Sequence, residues 1–140
     1  MSIELENVKD NDYIEEPSLV SKCIYHVIFC PKYRRKVLID DIPERMKELI
    51  LQKQADYHYT IIEQEIMPDH VHLLIKASAK YPIYNIVSQL KGYLSHTLRE
   101  EFPSLKTRLP TLWSRGKFIA SVGTVSLETV KQYIENQKNK

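Results

Sequence analysis

Two apolar runs rich in β-branched residues, Tyr59 to Met67 and Val71 to Ala77, flank the turn-forming pair Pro68-Asp69, and this arrangement constrains the fold more than any other stretch of the chain. An antiparallel hairpin is the simplest way to join them. Its second strand opens with His70-Val71-His72. Side chains alternate along a strand, so His70 and His72 share one face while Val71 and Leu73 turn to the other, toward a core. The hairpin therefore sets two imidazoles side by side on the face opposite that core.

The remaining elements follow from periodicity and from the residues that break it. Lys22 to Cys30 is β-branched and aromatic and stops at Pro31, which predicts a strand followed by a basic loop, Lys32-Tyr-Arg-Arg-Lys36. Pro43 suits the first turn of a helix, and Met46, Leu49, Ile50 and Lys53 recur at helical spacing toward Ala55. Ile83, Ile86, Val87, Leu90, Tyr93, Leu94, Thr97 and Leu98 trace a long amphipathic helix that ends before Pro103. Trp113 to Val122 predicts a last strand, interrupted by Gly116. After Gly123, Ser126 and Glu128 offer a start for a C-terminal helix carrying Leu127, Val130, Tyr133 and Ile134. The order β-α-β-β-α-β plus a helix matches the ferredoxin-like split βαβ motif, an α+β fold with an antiparallel sheet and helices on one face. That fold by itself names no chemistry.

With 140 residues, 43% of them hydrophobic, the chain fits one domain, expected over residues 18–140. Residues 1–17 are expected to form a mobile acidic extension ending at Pro17. Residues 1–16 carry six acids and one base, leaving 19 bases against 12 acids in the body. Two basic clusters stand out: Lys32, Arg34, Arg35 and Lys36 around Tyr33, and Lys106, Arg108, Arg115 and Lys117 around Trp113. Such mixtures suit a phosphate backbone with stacked bases, and they also suit a solvated basic face. Cys23 and Cys30 sit at odd separation on one strand, hence on opposite faces, which argues against a mutual disulfide and for a reducing, cytoplasmic setting. No run reaches the ~20 apolar residues of a membrane span, and the N-terminus lacks the pattern of a signal peptide. With only three glycines the chain holds no nucleotide-cradling loop.

Tyr133 and Gln137 lie one turn apart on one face of the C-terminal helix, so a phenol and an amide oxygen travel together. Two imidazoles and one amide oxygen would leave a divalent ion with open positions for phosphate oxygens and water, the arrangement that polarises a scissile phosphate. Mixed nitrogen and oxygen ligation without a thiolate favours Mg²⁺ or Mn²⁺. Tyr133 as nucleophile would store the phosphodiester's energy in a covalent phosphotyrosine, so rejoining needs no ATP. Each of these residues alone is also compatible with ordinary packing or a solvated side chain.

Five blocks in order, Pro31-Lys-Tyr-Arg-Arg-Lys36, Met67-Pro-Asp-His-Val-His-Leu73, Gln89-Leu-Lys-Gly-Tyr93, Leu112-Trp-Ser-Arg-Gly116 and Tyr133-Ile-Glu-Asn-Gln137, resemble those of the single-tyrosine transposases of bacterial and archaeal insertion sequences. These are members of the HUH endonuclease superfamily, and the resemblance covers Ser21 to Gln137. It implies His70, His72 and Gln137 as metal ligands and Tyr133 as nucleophile, giving a 5′-phosphotyrosine and a free 3′-hydroxyl on single-stranded DNA. It further implies hairpins at the element's ends as substrate and a homodimer in which the C-terminal helix of one subunit can complete the other subunit's site, so that Tyr133 acts either in cis or in trans on His70 and His72. Candidate DNA contacts are Lys32, Arg34, Arg35, Lys91, Arg115 and Lys117. The sequence departs from the pattern at Lys117, where an aromatic residue is expected, and in the acidic residues 1–16. Three other readings compete: a catalytically silent ferredoxin-like module that binds single strands or hairpins, a metal-dependent hydrolase in which the tyrosine is only structural, and a domesticated relative that processes palindromic repeats.

Overall fold

In this computed structural model, which describes residues 14–21, 23–122 and 127–139, a short hairpin of β1 (Ile14–Glu16) and β2 (Leu19–Ser21) precedes the main sheet. The sheet comprises β3 (Cys23–Phe29), β4 (Thr60–Met67), β5 (His70–Ala77) and β6 (Phe118–Ser121), hydrogen-bonded in the order β4-β5-β3-β6 with every pair antiparallel. The second, third, first and fourth strands of the motif are thus adjacent, as the split βαβ arrangement requires. Helices α1 (Ile42–Gln52) and α3 (Ile83–Glu101) are joined by the short α2 (Gln54–Tyr57) and α4 (Ser104–Arg108), and α5 (Leu127–Asn136) closes the chain, followed by a 3-10 turn at Gln137–Asn139.

Strand alternation divides the sheet into two environments. Val27, Phe29, Val71, Leu73 and Ile75 point one way and form one cluster with Met46, Leu49 and Ile50 of α1 and Ile86, Val87, Leu90, Leu94 and Leu98 of α3. Burying each such side chain stabilises the fold by about 1.5–3 kcal/mol. Pro43 in the first turn starts α1, and His58, in the left-handed region at φ 61°, ends α2 and turns the chain into β4. The Tyr59 hydroxyl then donates to the carbonyl of Ile50, tying that turn to α1.

Two expectations are modified. The predicted strand from Trp113 to Val122 is ordered as a strand only over Phe118–Ser121. The Ser114 and Gly116 carbonyls instead accept from the buried ammonium of Lys91, at 2.8 and 3.1 Å, so this stretch is a loop held from beneath. The second concerns the N-terminal extension. Its described part, Ile14–Glu16, pairs with Leu19–Ser21, and the Glu16 carboxylate accepts from the Ser78 hydroxyl at 2.5 Å and lies 3.6 Å from the Lys80 ammonium. Residues 1–13, and the expected helix start at Gly123 and Ser126, lie outside the described residues.

Candidate active site

The sheet face turned away from α1 and α3 carries His26 and Ile28 on β3, Glu65 and Met67 on β4, and His70, His72 and Leu74 on β5. The register sets Ile28 against His72, Glu65 against His72 and Met67 against His70. Helix α5 lies on this face: Ile134 and Tyr133 pack with Ile28 and Phe118, and Tyr133 meets the Phe118 ring at 4.9 Å between centroids. A cavity of about 320 Å³ opens between α5 and the hairpin, lined by Glu65, Met67, His70, Lys131, Ile134 and Glu135.

Both imidazoles of the His70-Val71-His72 pair are buried, and each leaves one nitrogen without a hydrogen-bond partner. His70 holds Asp69 Oδ1 at 2.9 Å through Nδ1, and its Nε2 is unpartnered. His72 meets His26 Nδ1 at 3.0 Å through Nε2, and its Nδ1 is unpartnered. Buried polar atoms are rarely left this way, and an orphaned imidazole nitrogen beside a carboxylate-oriented ring is the donor a metal ion takes up. Burial, and then the neighbouring His26 and His70, press the His72 pKa down to about 3, and burial lowers that of His26. The His72 ring is therefore neutral at physiological pH, the form that ligates. Among the described residues no group of three His, Cys, Asp or Glu side chains could hold a metal by itself, so any third ligand has to come from elsewhere, such as an amide.

Gln137 is buried and its Oε1 lies beside Gly116, together with the Tyr133 hydroxyl. A Cβ built on Gly116 would stand 3.6 Å from Tyr133 Oη and 3.9 Å from Gln137 Oε1, so this glycine leaves room for both groups. Burial, reinforced by the adjacent Cys30 thiol, pushes the Tyr133 phenol up to about 12. The phenol is consequently protonated until something at the reacting centre takes its proton.

Arg34 links the two halves of the site. Its Nε lies 2.8 Å from Asp69 Oδ2 and its guanidinium 3.1 Å from Glu135 Oε2, so one side chain joins the turn that orients His70 to the helix that carries Tyr133. Its own turn is strained: Tyr33 and Arg34 both have positive φ, 58° and 52°. That backbone sends Arg34 inward and leaves Tyr33 half exposed.

The candidate DNA-contact residues divide accordingly. Arg35 and Arg115 are exposed, and Lys32 and Lys117 are partly so, with the Lys117 ammonium 4.4 Å above the exposed ring of Tyr84. Arg34 and Lys91 are engaged internally. Trp113, read from sequence as a partner for bases, is buried edge-on against Phe29 at 4.8 Å and donates from Nε1 to the Lys91 carbonyl at 3.0 Å. Three groups escaped sequence reading: His26, Asp69 as the orienting carboxylate, and Arg34 as a clamp. The signal for His26 is its even spacing from Ile28 on a strand that had to pair with β5; for Asp69 it is adjacency to His70.

Comparison with known proteins gives the arrangement a family. The family model described as transposase, IS200 like, matches residues 19–137. The chain is 34% identical over 118 residues to the ISDra2 transposase TnpA of Deinococcus radiodurans, covering 83% of this chain and 84% of that protein. It is 32% identical over 118 residues to the transposase for insertion sequence element IS200 of Salmonella typhimurium, covering 82% and 76%. Among solved structures, one from Deinococcus radiodurans assigned as a transposase superposes with a TM-score of 0.83 at 30% identity, over 91% of this chain and 99% of that one. A REP-associated tyrosine transposase bound to a REP hairpin shares the fold, with a TM-score of 0.56 at 12% identity over 87% and 68% of the two chains. No helix among the described residues is long and apolar enough to cross a membrane. A ferredoxin-like sheet with paired histidines under a tyrosine-bearing helix, matched by the family model over nearly all of its length, makes this chain a member of the IS200-like transposase family.

Proposed function

We propose that this transposase cleaves and rejoins single-stranded DNA at hairpin-bearing element ends, with Tyr133 as nucleophile and a divalent ion, Mg²⁺ or Mn²⁺, held by His70, His72 and Gln137. The observation that carries the reading is the pair of buried, unpartnered imidazole nitrogens on the sheet face covered by the helix of Tyr133, with Gln137 in the 3-10 turn that follows it. When bound, the ion supplies Lewis-acid polarisation of the scissile phosphate. Tyr133 Oη attacks phosphorus, the bond from phosphorus to the 3′ oxygen breaks, and the products are a 5′-phosphotyrosine and a free 3′-hydroxyl. Attack by a second 3′-hydroxyl returns the phenol and joins a new strand. Asp69 and Arg34 keep His70 oriented, and the exposed Arg35 and Arg115 with the partly exposed Lys32 and Lys117 supply backbone contacts to the DNA.

A homodimer is part of the proposal. Within one chain Tyr133 already packs over its own Ile28 and Phe118, which favours attack in cis. Mixing Tyr133→Phe with His72→Ala subunits tests this: recovered cleavage in the mixture assigns the tyrosine to the partner's site, and none supports cis. The central experiment incubates protein and Tyr133→Phe with Mg²⁺ or Mn²⁺ and labelled single-stranded DNA from the flanks of the gene, followed by a denaturing protein gel. A labelled adduct that requires both Tyr133 and metal is expected. Retarded but intact DNA without an adduct would make the chain a hairpin-binding module.

A further inference from the structure

We propose that His26 is a positioning residue for the metal site: by accepting the Nε2–H of His72 at its own Nδ1, it holds His72 in the tautomer whose bare nitrogen is Nδ1. This rests on the reading of His70 and His72 as ligands and adds what sets the ligating atom of each.

The argument is one of proton placement. His26 Nδ1 and His72 Nε2 are 3.0 Å apart and both rings are buried, at 6% and 0% exposure, so one proton lies between them. If His26 donated it, His72 would carry its own proton on Nδ1, a buried N–H with no acceptor. Such a donor is costly to leave unmade. If His72 donates, Nδ1 is a bare lone pair that a cation can satisfy. His70 is arranged the other way: Asp69 Oδ1 accepts from Nδ1 and Nε2 is bare. The two imidazoles therefore offer different nitrogens, Nε2 of His70 and Nδ1 of His72. The choice of orienting group follows depth. A carboxylate serves His70 at the turn, whereas the fully buried His72 takes a neutral ring, since an anion there would have to be desolvated.

The test uses the full chain without DNA. Nitrogen-15 NMR of the metal-free protein should show His72 protonated on Nε2 and bare on Nδ1; protonation on Nδ1 overturns the assignment. Mn²⁺ binding by calorimetry should weaken about 10–100-fold in His26→Leu. His26→Asn, whose amide carbonyl stands where Nδ1 stood, should bind within about threefold of the parent. Unchanged Mn²⁺ affinity in a folded His26→Leu protein overturns the positioning role. If circular dichroism shows His26→Leu unfolded, the tautomer spectrum and the His26→Asn affinity decide. A parent protein that binds no Mn²⁺ sinks the metal reading itself, while the spectrum still reports on the hydrogen bond.

Discussion

Leu73 and His72 are consecutive on β5, both have no exposed surface, and they face opposite sides of one sheet. Leu73 enters the large cluster of apolar side chains between sheet and helices. His72 enters a layer containing His26 and His70 beneath α5, where nitrogen atoms lack partners. Burial thus does two different jobs in adjacent residues. On the helix side it removes apolar area from water and holds the fold together. On the α5 side it keeps His72 neutral and its lone pair available, at a cost in stability that the other face offsets.

The largest effect that tests this contrast is expected at the proposed nucleophile. Tyr133→Phe should abolish the covalent adduct and slow strand cleavage by at least about a thousandfold on a denaturing gel, with the melting temperature nearly unchanged. Cleavage at the normal rate would remove Tyr133 from the chemistry. Next in size are two substitutions one residue apart. Leu73→Ala should cost about 3 kcal/mol in urea denaturation, because it opens a cavity in a packed cluster. His72→Leu should cost about 1–2 kcal/mol, less than Leu73→Ala, while eliminating metal-dependent cleavage, because it replaces the orphaned Nδ1 by hydrocarbon but leaves the buried His26 Nδ1 without its partner. Equal destabilisation by both would erase the distinction between the faces.

The helix-side face was legible in the sequence, since alternation along Val71, Leu73 and Ile75 and helical spacing along Met46, Leu49 and Ile50 follow directly from backbone geometry. The same alternation put His70 and His72 together, and the four-residue spacing put Tyr133 and Gln137 beside one another at Gly116. Legibility failed where the partner was tertiary. His26 lies 46 residues from His72, and only the β3–β5 register brings them together. Arg34, Lys91 and Trp113 read as nucleic-acid contacts because charge and aromaticity are visible in a sequence. The carboxylates and carbonyls that turn these residues inward are not. The predicted strand from Trp113 fell short for the same reason: Lys91 takes the carbonyls a neighbouring strand would have used.

Arg34 supplies the third prediction, intermediate in size. It is the charged link from the turn at Asp69 to Glu135 on α5, with its side chain only 10% exposed. Arg34→Ala should destabilise the protein by about 1–2 kcal/mol and slow adduct formation about tenfold, since helix and hairpin lose their common partner. Arg34→Lys should recover little, because a single ammonium cannot span two carboxylates as a fork does. Full activity in Arg34→Ala would mean that apolar contacts among Ile28, Ile134 and Phe118 suffice to seat α5.

The smallest effect concerns Lys91, whose ammonium reaches the Ser114 and Gly116 carbonyls. Lys91 sits on α3, 7% exposed, and burial first, then the nearby Lys117, lower its pKa to about 8. In the unfolded chain it returns to the ordinary value of 10.5. Between about 8 and 10.5 the unfolded state therefore binds a proton that the folded state has released, so stability rises with pH through that window as the cost of burying the charge disappears. Below the folded pKa both states are protonated and the contribution is constant. Compared with Lys91→Met, which titrates nothing there, the parent should gain on the order of 1 kcal/mol between pH 8 and 10 in paired thermal melts. A difference that stays flat would mean that the Ser114 and Gly116 carbonyls compensate the ammonium fully. Lys91 would then be a charge as well satisfied as any surface lysine, and the helix-side face would carry no electrostatic cost at all.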